Sequence, residues 1–188
     1  MPPKAKYSRE QIIDVAYELV RRNGEDFLSA RTLASELGSS TAPIFTAFSS
    51  IDEIFCEIKA KAYGLYNQYL KEGMAMQPAF KGTGLKYIQF AKDEPNLFKM
   101  LFMCVANSDQ PTHYFPAGDV DNEPSVRGAA EISCGCDTER AKRIYNHLSV
   151  YTHGLAVMYA QGQCVFTDED VSEMLSEVFR ALSKGEKI

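Results

Sequence analysis

The sequence predicts an all-α protein of about nine helices, and three observations support that fold class. Apolar residues recur three and four positions apart along most of the chain, the spacing that places them on one side of a helix. Residues that cap helices precede most of these stretches, and Gly, Asn or Pro stands where several of them end. No stretch has the alternating pattern of a convincing strand. The 188 residues, 45% of them hydrophobic, are enough to enclose a substantial core.

Cap signals place the first four helices. Ser8 with Gln11 and Ser50 with Glu53 have the spacing of capping boxes, in which each side chain bonds the backbone N–H of the other residue. Pro43 fits the first turn of a helix, where its missing N–H has no partner to lose. The predicted helices cover residues 8–22, 30–37, 42–48 and about 50–73, with Ser29 as the cap of the second and Ser40 as the cap of the third.

Five further helices are predicted in the rest of the chain. The first covers residues 79–93, is weakened in its early turns by Gly82 and Gly84, and is expected to end at Pro95. Asn96 is the expected cap of the next helix, and a loop without periodicity follows it. These later helices cover residues 79–93, 97–106, 123–133, 138–161 and a final stretch that begins at the cap Thr167.

Residues 29–48 combine two short helices with a tight turn that contains Gly38. This is the pattern of a helix-turn-helix, in which the second helix enters the major groove of DNA with its amino-terminal residues toward the bases. An ordinary αα-hairpin has the same pattern, so geometry alone leaves both interpretations open. On the DNA-binding interpretation, small side chains of the second helix and its cap reach phosphates, base edges or thymine methyl groups: Ser40, Thr41, Ala42, Ile44 and Thr46.

The stretch from Leu28 to Ile54, LSARTLASELGSSTAPIFTAFSSIDEI, resembles the DNA-binding region of TetR/AcrR-type transcriptional regulators. The resemblance extends through the upstream helix, Ile12 to Gly24, and the later helices are similar in layout to the ligand-binding part of that family. It implies a DNA-binding domain over residues 1–50 and an effector-binding, dimerising domain over residues 51–188. The implied function is that of a homodimeric repressor, which binds a double-stranded DNA operator and is released by a small hydrophobic or aromatic effector.

The resemblance and the helix-turn-helix pattern together identify candidate DNA-binding residues. Phe45 stands where the family commonly has a tyrosine that holds a phosphate, and Lys4, Lys6 and Arg9 form a short basic arm. The candidates are Lys4, Lys6, Arg9, Ser29, Arg31, Ser39, Ser40, Thr41, Ala42, Pro43, Ile44, Phe45 and Thr46.

Two further sets of candidates come from the later helices. Methionine and aromatic side chains at helical spacing are more often core residues, but in a family that binds apolar effectors they become candidates for the ligand site. That set is Phe90, Phe98, Met100, Phe102, Met103, His147, Tyr151, Met158 and Tyr159. The last two helices suit a four-helix dimer interface. Its candidates are Gly154, Val171, Met174, Leu175, Val178, Phe179 and Leu182.

The charge balance bears on how the chain would bind DNA. The net charge is −5 at pH 7, and residues 1–55 carry six basic and eight acidic side chains. Because phosphate neutralisation supplies most non-specific affinity for DNA, we expect weak non-specific binding and a shallow dependence on salt. The acidic head also keeps a second interpretation open, that of a helical interaction protein that does not bind DNA.

Other functional classes have little support in the sequence. Cys134 and Cys136 lack the second ligand pair of a structural zinc site, and the five cysteines are expected to be reduced thiols. The stretch from Gly82 to Lys86 is a weak match to phosphate-binding loops, so we expect neither an enzyme nor a cofactor or metal. No secretory signal and no apolar run long enough to span a membrane is present, which predicts a cytoplasmic protein without a membrane partner.

Overall fold

The computed structural model describes residues 7–103 and 123–184, and within them it has nine α-helices and no strand. The all-α prediction is therefore confirmed. None of these helices is both long enough and apolar enough to cross a membrane. The helices are α1 (Arg9–Asn23), α2 (Ala30–Glu36), α3 (Ala42–Ala47), α4 (Ile51–Met74), α5 (Ala79–Asp93), α6 (Pro95–Phe102), α7 (Glu123–Cys134), α8 (Thr138–Ala160) and α9 (Asp168–Lys184).

Most of the predicted caps are present. Ser8 and Ser29 each accept a hydrogen bond from the backbone N–H three residues on, and both belong to complete capping boxes. Two of the predicted caps, Ser40 and Asn96, are wrong. Ser40 does not cap α3, because that helix starts after Thr41 without a side-chain cap. Asn96 does not cap α6, because Pro95 begins that helix rather than ending α5, and the Asn96 amide instead donates to the carbonyl of Arg21 at 3.0 Å.

Helix α5 is the centre of the body formed by α4–α9, since it contacts α4, α6, α7, α8 and α9. Its aromatic side chains pack with those of α4 and α6, largely in edge-to-face or tilted geometry. Tyr66 has ring centroids 6.0 Å from Tyr87, 5.5 Å from Phe90 and 5.0 Å from Phe102. Helix α1 of the head formed by α1–α3 packs against α4 and α6, and one hydrophobic core runs through both parts.

Helices α4 and α5 approach so closely that two glycines are required. A Cβ atom on Gly82 would lie 2.2 Å from the carbonyl oxygen of Gly73, and one on Gly73 would lie 2.7 Å from that of Gly82. A Cβ on Gly84, two residues further along α5, would meet Leu175 only at 3.6 Å, which is ordinary van der Waals contact. Gly82 is therefore a packing residue in this structure as well as a weak helix former.

The turn between α7 and α8 differs from expectation. Cys134 and Cys136 are joined by a disulfide, although reduced thiols were predicted. Gly135 between them has a φ of 57°, and this turn brings the two Cα atoms to 5.3 Å, within the range that a disulfide spans. Cys56 and Cys164 are free thiols.

The two α5 glycines give a matched test of the α4–α5 contact. Alanine gains about 1 kcal/mol of helix propensity at either position. In Gly82→Ala that gain is outweighed by overlap with the α4 backbone, so we expect destabilisation of about 2 kcal/mol relative to Gly84→Ala. Thermal unfolding should place the melting temperature of Gly82→Ala roughly 4–8 °C below that of Gly84→Ala. Equal melting temperatures for the two variants would contradict the close contact.

Candidate functional site

The helix-turn-helix is built from α2, the turn at residues 37–41 and α3. Gly38 has a φ of 59°, which glycine adopts without strain, and the N–H of Ser39 donates to the carbonyl of Ala34 at 2.9 Å. Leu33 and Ile44 are fully buried, so the facing sides of α2 and α3 are fixed by packing. The turn and the buried pair together hold the outer side of α3 at the surface.

The outer side of α3 carries three of the predicted DNA-binding residues, Ala42, Phe45 and Thr46. Phe45 is 50% exposed, and the Thr46 hydroxyl donates to the carbonyl of Ala42 while keeping its lone pairs available. Ile44 is buried in the head, so its predicted contact with a thymine methyl group is wrong. Of the other candidates in this region, Ser29, Arg31, Ser40 and Ala42 are exposed, and Ser39, Thr41 and Pro43 are half-buried.

Arg9 does not belong to a free basic arm. It is the first residue of α1, and its guanidinium lies 3.9 Å from the ring centroid of Phe48 and donates to Glu53 at 2.7 Å. Hydrogen bonds from the Ser49 backbone and from Arg9 and the Ser49 hydroxyl lower the pKa of Glu53 to about 2, so this carboxylate stays charged. Arg9 thus fixes α1 to the start of α4. Lys4 and Lys6, the rest of the predicted arm, lie outside the described residues.

Arg31 differs from the other arginines of the head. Arg21 pairs with Glu94, and Arg22 pairs with Glu36. Arg31 is exposed in the first turn of α2 and has no acidic partner within residues 7–103 and 123–184. An exposed guanidinium without a carboxylate is available to a phosphate.

The head is fixed to the body through α1. The Nε of Arg21 donates to Glu94 Oε2 at 2.7 Å, and its Nη2 donates to the second carboxylate oxygen. Glu94 lies between α5 and α6 with only 7% of its side chain exposed, and it raises the pKa of the Arg21 guanidinium. Lys61 of α4 pairs with Asp14 of α1 at 2.5 Å. Helix α1 therefore attaches the head to both α4 and the α5–α6 junction.

The body contains an apolar cavity of about 180 Å³ between α4, α5, α7, α8 and α9. Its walls include Phe80, Tyr87, Tyr145 and Phe179, and the small residues Thr83, Gly84, Ser149 and Thr152 also line it. Within the part of the chain that the structure describes, no group of three or more His, Cys, Asp or Glu side chains is placed to hold a metal ion.

None of the nine predicted ligand-site residues lines this cavity. Phe90, Phe98, Met100 and Phe102 are buried in the aromatic core, and His147 and Met158 are exposed on α8. Met103, Tyr151 and Tyr159 are half-buried elsewhere. The residues that do line it on α8, Tyr145, Leu148, Ser149 and Thr152, recur at helical spacing and contain buried hydroxyls. Apolar residues at helical spacing, with small polar side chains among them, are the sequence pattern that could have predicted this cavity wall.

The arrangement of the helices is similar to that of a solved structure. A TetR-like transcriptional regulator from Rhodococcus sp. RHA1 superposes with a TM-score of 0.69, over 94% of this chain and 96% of that chain, at 13% sequence identity. The fold is that of the TetR-like regulators. The fold that the sequence resemblance implied is therefore confirmed.

A sequence comparison matches a second protein over part of the chain. The HTH-type nicotine-responsive transcriptional repressor HdnoR of Paenarthrobacter nicotinovorans is 36% identical over 63 residues. The matched segment covers 34% of this chain and 31% of that repressor. No protein-family model matches the chain.

The predicted dimer residues fall into three groups. Val171 and Leu175 are buried in the core of the chain itself, and Phe179 packs against Phe80 at a centroid distance of 6.1 Å, beside the cavity. These three are therefore not free to form an interface. Met174, Val178 and Leu182 are half-buried along α9, and Gly154 is exposed on α8, where a Cβ would meet no atom within 4 Å. Val150 and Met158, each one turn from Gly154, extend that exposed stripe, and sequence reasoning missed them for this role.

Proposed function

We propose that the chain is a sequence-specific, DNA-binding transcriptional regulator in which α3 enters the major groove. The observation that carries this proposal is the exposed outer side of α3, with Ala42, Phe45 and Thr46 raised above a buried hairpin contact. A helix-turn-helix in a plain bundle would turn that side inward, whereas here Phe45 is 50% exposed and Ala42 and Thr46 are exposed as well. The DNA-binding part is the head, which ends at about residue 50, and the body follows it in the chain.

The head binds DNA with few cations. Arg31 is its unpaired arginine, while Arg9, Arg21 and Arg22 are held by carboxylates. Backbone N–H groups at the start of α2 supply a further phosphate contact beside it. Affinity therefore depends on two heads acting together, and the dependence on salt is shallow.

The body joins two copies and holds the effector. The exposed stripe of Val150, Gly154 and Met158 on α8 and the half-buried apolar residues of α9 supply the contacts, and these two helices from each copy form a four-helix interface. A small hydrophobic or aromatic effector in the cavity displaces α5 or α9 and changes the separation of the heads, which weakens their fit to two successive major grooves. The expected result is repression that the effector relieves.

The DNA-binding role is tested by Arg31→Gln. Duplexes enriched from a random library by the wild-type chain serve as the operator, and affinity is measured by gel shift at several salt concentrations. Losing one phosphate contact should weaken binding and reduce the slope of log affinity against log salt by about one per subunit. Lys142→Gln, which removes an exposed cation from α8, should change neither quantity. If no duplex is enriched, the chain is better described as a helical interaction protein.

The dimer is tested by placing a charge on the α8 stripe. Val150 is 70% exposed, so Val150→Asp should leave the folded subunit intact but put an unpaired carboxylate into the proposed interface. Val165→Asp is the matched control, because Val165 is 92% exposed in the α8–α9 connection. Sedimentation equilibrium at micromolar concentration should give dimers for the wild type and the control and monomers for Val150→Asp. A monomeric wild type, or a dimeric Val150→Asp, would refute this interface.

A further inference from the structure

We propose that the cavity in the body binds a one-ring aromatic carboxylic acid that carries a ring hydroxyl. The proposal rests on the proposed function, in which this cavity holds the effector, and it names the chemistry of that effector. Four features of the cavity restrict the ligand: its size, the composition of its walls, and, within the described residues, two hydroxyls without a hydrogen-bond partner and two cations without an acidic partner.

The size of the cavity restricts the ligand to one ring. Its volume is about 180 Å³. A buried apolar cavity of about 150 Å³ takes up benzene, so the extra space accommodates one or two small substituents. A fused ring system or a long acyl chain would need the walls to move.

The walls favour an aromatic ring at one end. The Phe80 ring lies 6.5 Å from that of Tyr145 and 6.1 Å from that of Phe179, at the distances typical of paired aromatic side chains. At the other end Gly84 contributes no side chain, and a Cβ there would lie 3.6 Å from Leu175 and 3.8 Å from Thr152. The space left by Gly84 extends the cavity toward Thr152.

Two small hydroxyl-bearing residues of α8 line this cavity. Ser149 and Thr152 stand three residues apart on the same side of α8, and each is only 6% exposed. Within residues 7–103 and 123–184 neither hydroxyl makes a hydrogen bond, so both are available to a ligand in the cavity. A hydroxyl on the ligand would donate to one and accept from the other.

Two cations without acidic partners lie at the opposite end. Lys81 and Arg180 line the cavity from the same turns of α5 and α9 as Phe80 and Phe179, with Lys81 half-buried and Arg180 exposed. Neither forms an ion pair within the part of the chain that the structure describes; the Arg180 Nε donates to the carbonyl of Ser176 at 3.1 Å. No acidic residue lines the cavity there. This end therefore favours a carboxylate and disfavours a protonated amine.

Isothermal titration calorimetry of the full chain with three probes tests the proposal. The probes are 4-hydroxybenzoate, phenol and benzylamine, which share the ring and differ in charge. We expect 4-hydroxybenzoate to bind about tenfold more tightly than phenol, because a charge-assisted hydrogen bond is gained. Benzylamine should bind most weakly. Binding of benzylamine as tightly as the acid, or no binding of any probe to the folded chain, would overturn the proposal.

Variants separate the two ends of the cavity. Lys81→Gln with Arg180→Gln should abolish the preference for the acid over phenol while leaving phenol binding within about twofold. Thr152→Val keeps the side-chain shape and should weaken 4-hydroxybenzoate and phenol alike. Lys142→Gln, outside the cavity, is the matched control and should bind all three probes as the wild type does. A preference for the acid that survives the double substitution would refute the role of the cations.

The outcome is separable from that of the proposed function, because calorimetry requires no DNA. If operator binding is present but the probes do not bind, this inference fails while the regulator stands. If the probes bind as expected but no duplex is enriched, the site stands and the DNA-binding role fails.

Discussion

The ion pair between Arg21 and Glu94 is the contact on which the arrangement of head and body depends. Glu94 is almost entirely buried at the α5–α6 junction, and a buried carboxylate is tolerated only when it is paired and hydrogen-bonded. Arg21 satisfies both of its oxygens, and the Asn96 amide holds the Arg21 carbonyl from the same junction. The end of α1 is thereby fixed to the body at one point, while Arg9 and Asp14 fix the rest of the helix to α4.

This constraint connects the cavity to the exposed outer side of α3 in the head. Helix α5 lines the cavity with Phe80, Thr83 and Tyr87 and ends at Asp93, directly before Glu94. A ligand that shifts α5 along its length must therefore either carry α1 with it or break a buried ion pair. Because α1 packs against α2, a shift of α1 reaches the helix-turn-helix without a separate moving part. The close glycine contact between α4 and α5 makes the two helices respond as one unit.

The sequence predicted the elements well and their surroundings less well. Caps and helical spacing placed α5 at both ends and the other described helices within a few residues, because these signals are local. The neighbours that a helix face packs against, in contrast, come from residues that are distant in the sequence. Phe90 and Phe98 had the spacing of a buried face, yet that face meets the aromatic core and not the cavity. The same spacing on α9 could not distinguish Val171, which is buried in its own chain, from Val178, which is half-buried.

In the candidate site, too, the helices were predicted from the sequence but the contacts of individual side chains were not. The resemblance identified the helix-turn-helix, and the exposed residues of α3 agree with it, but Ile44 and Arg9 are committed to contacts from other elements. The partners of Arg9, Arg21 and Gly82 stand 44, 73 and 9 residues away in the sequence, respectively, and no helical period relates such pairs. Unpaired groups such as Arg31, Ser149 and Thr152 became visible only once these partners were assigned.

A double-mutant cycle on Arg21 and Glu94 tests the central claim most directly. The free energy of unfolding and the affinity for an enriched duplex are measured for the wild type, Arg21→Met, Glu94→Gln and the double variant. If the pair fixes the head, Arg21→Met leaves a buried carboxylate unpaired and costs about 2 kcal/mol, and both measurements show a coupling energy of at least about 1 kcal/mol. Strictly additive effects, with coupling near zero in both, would contradict the account.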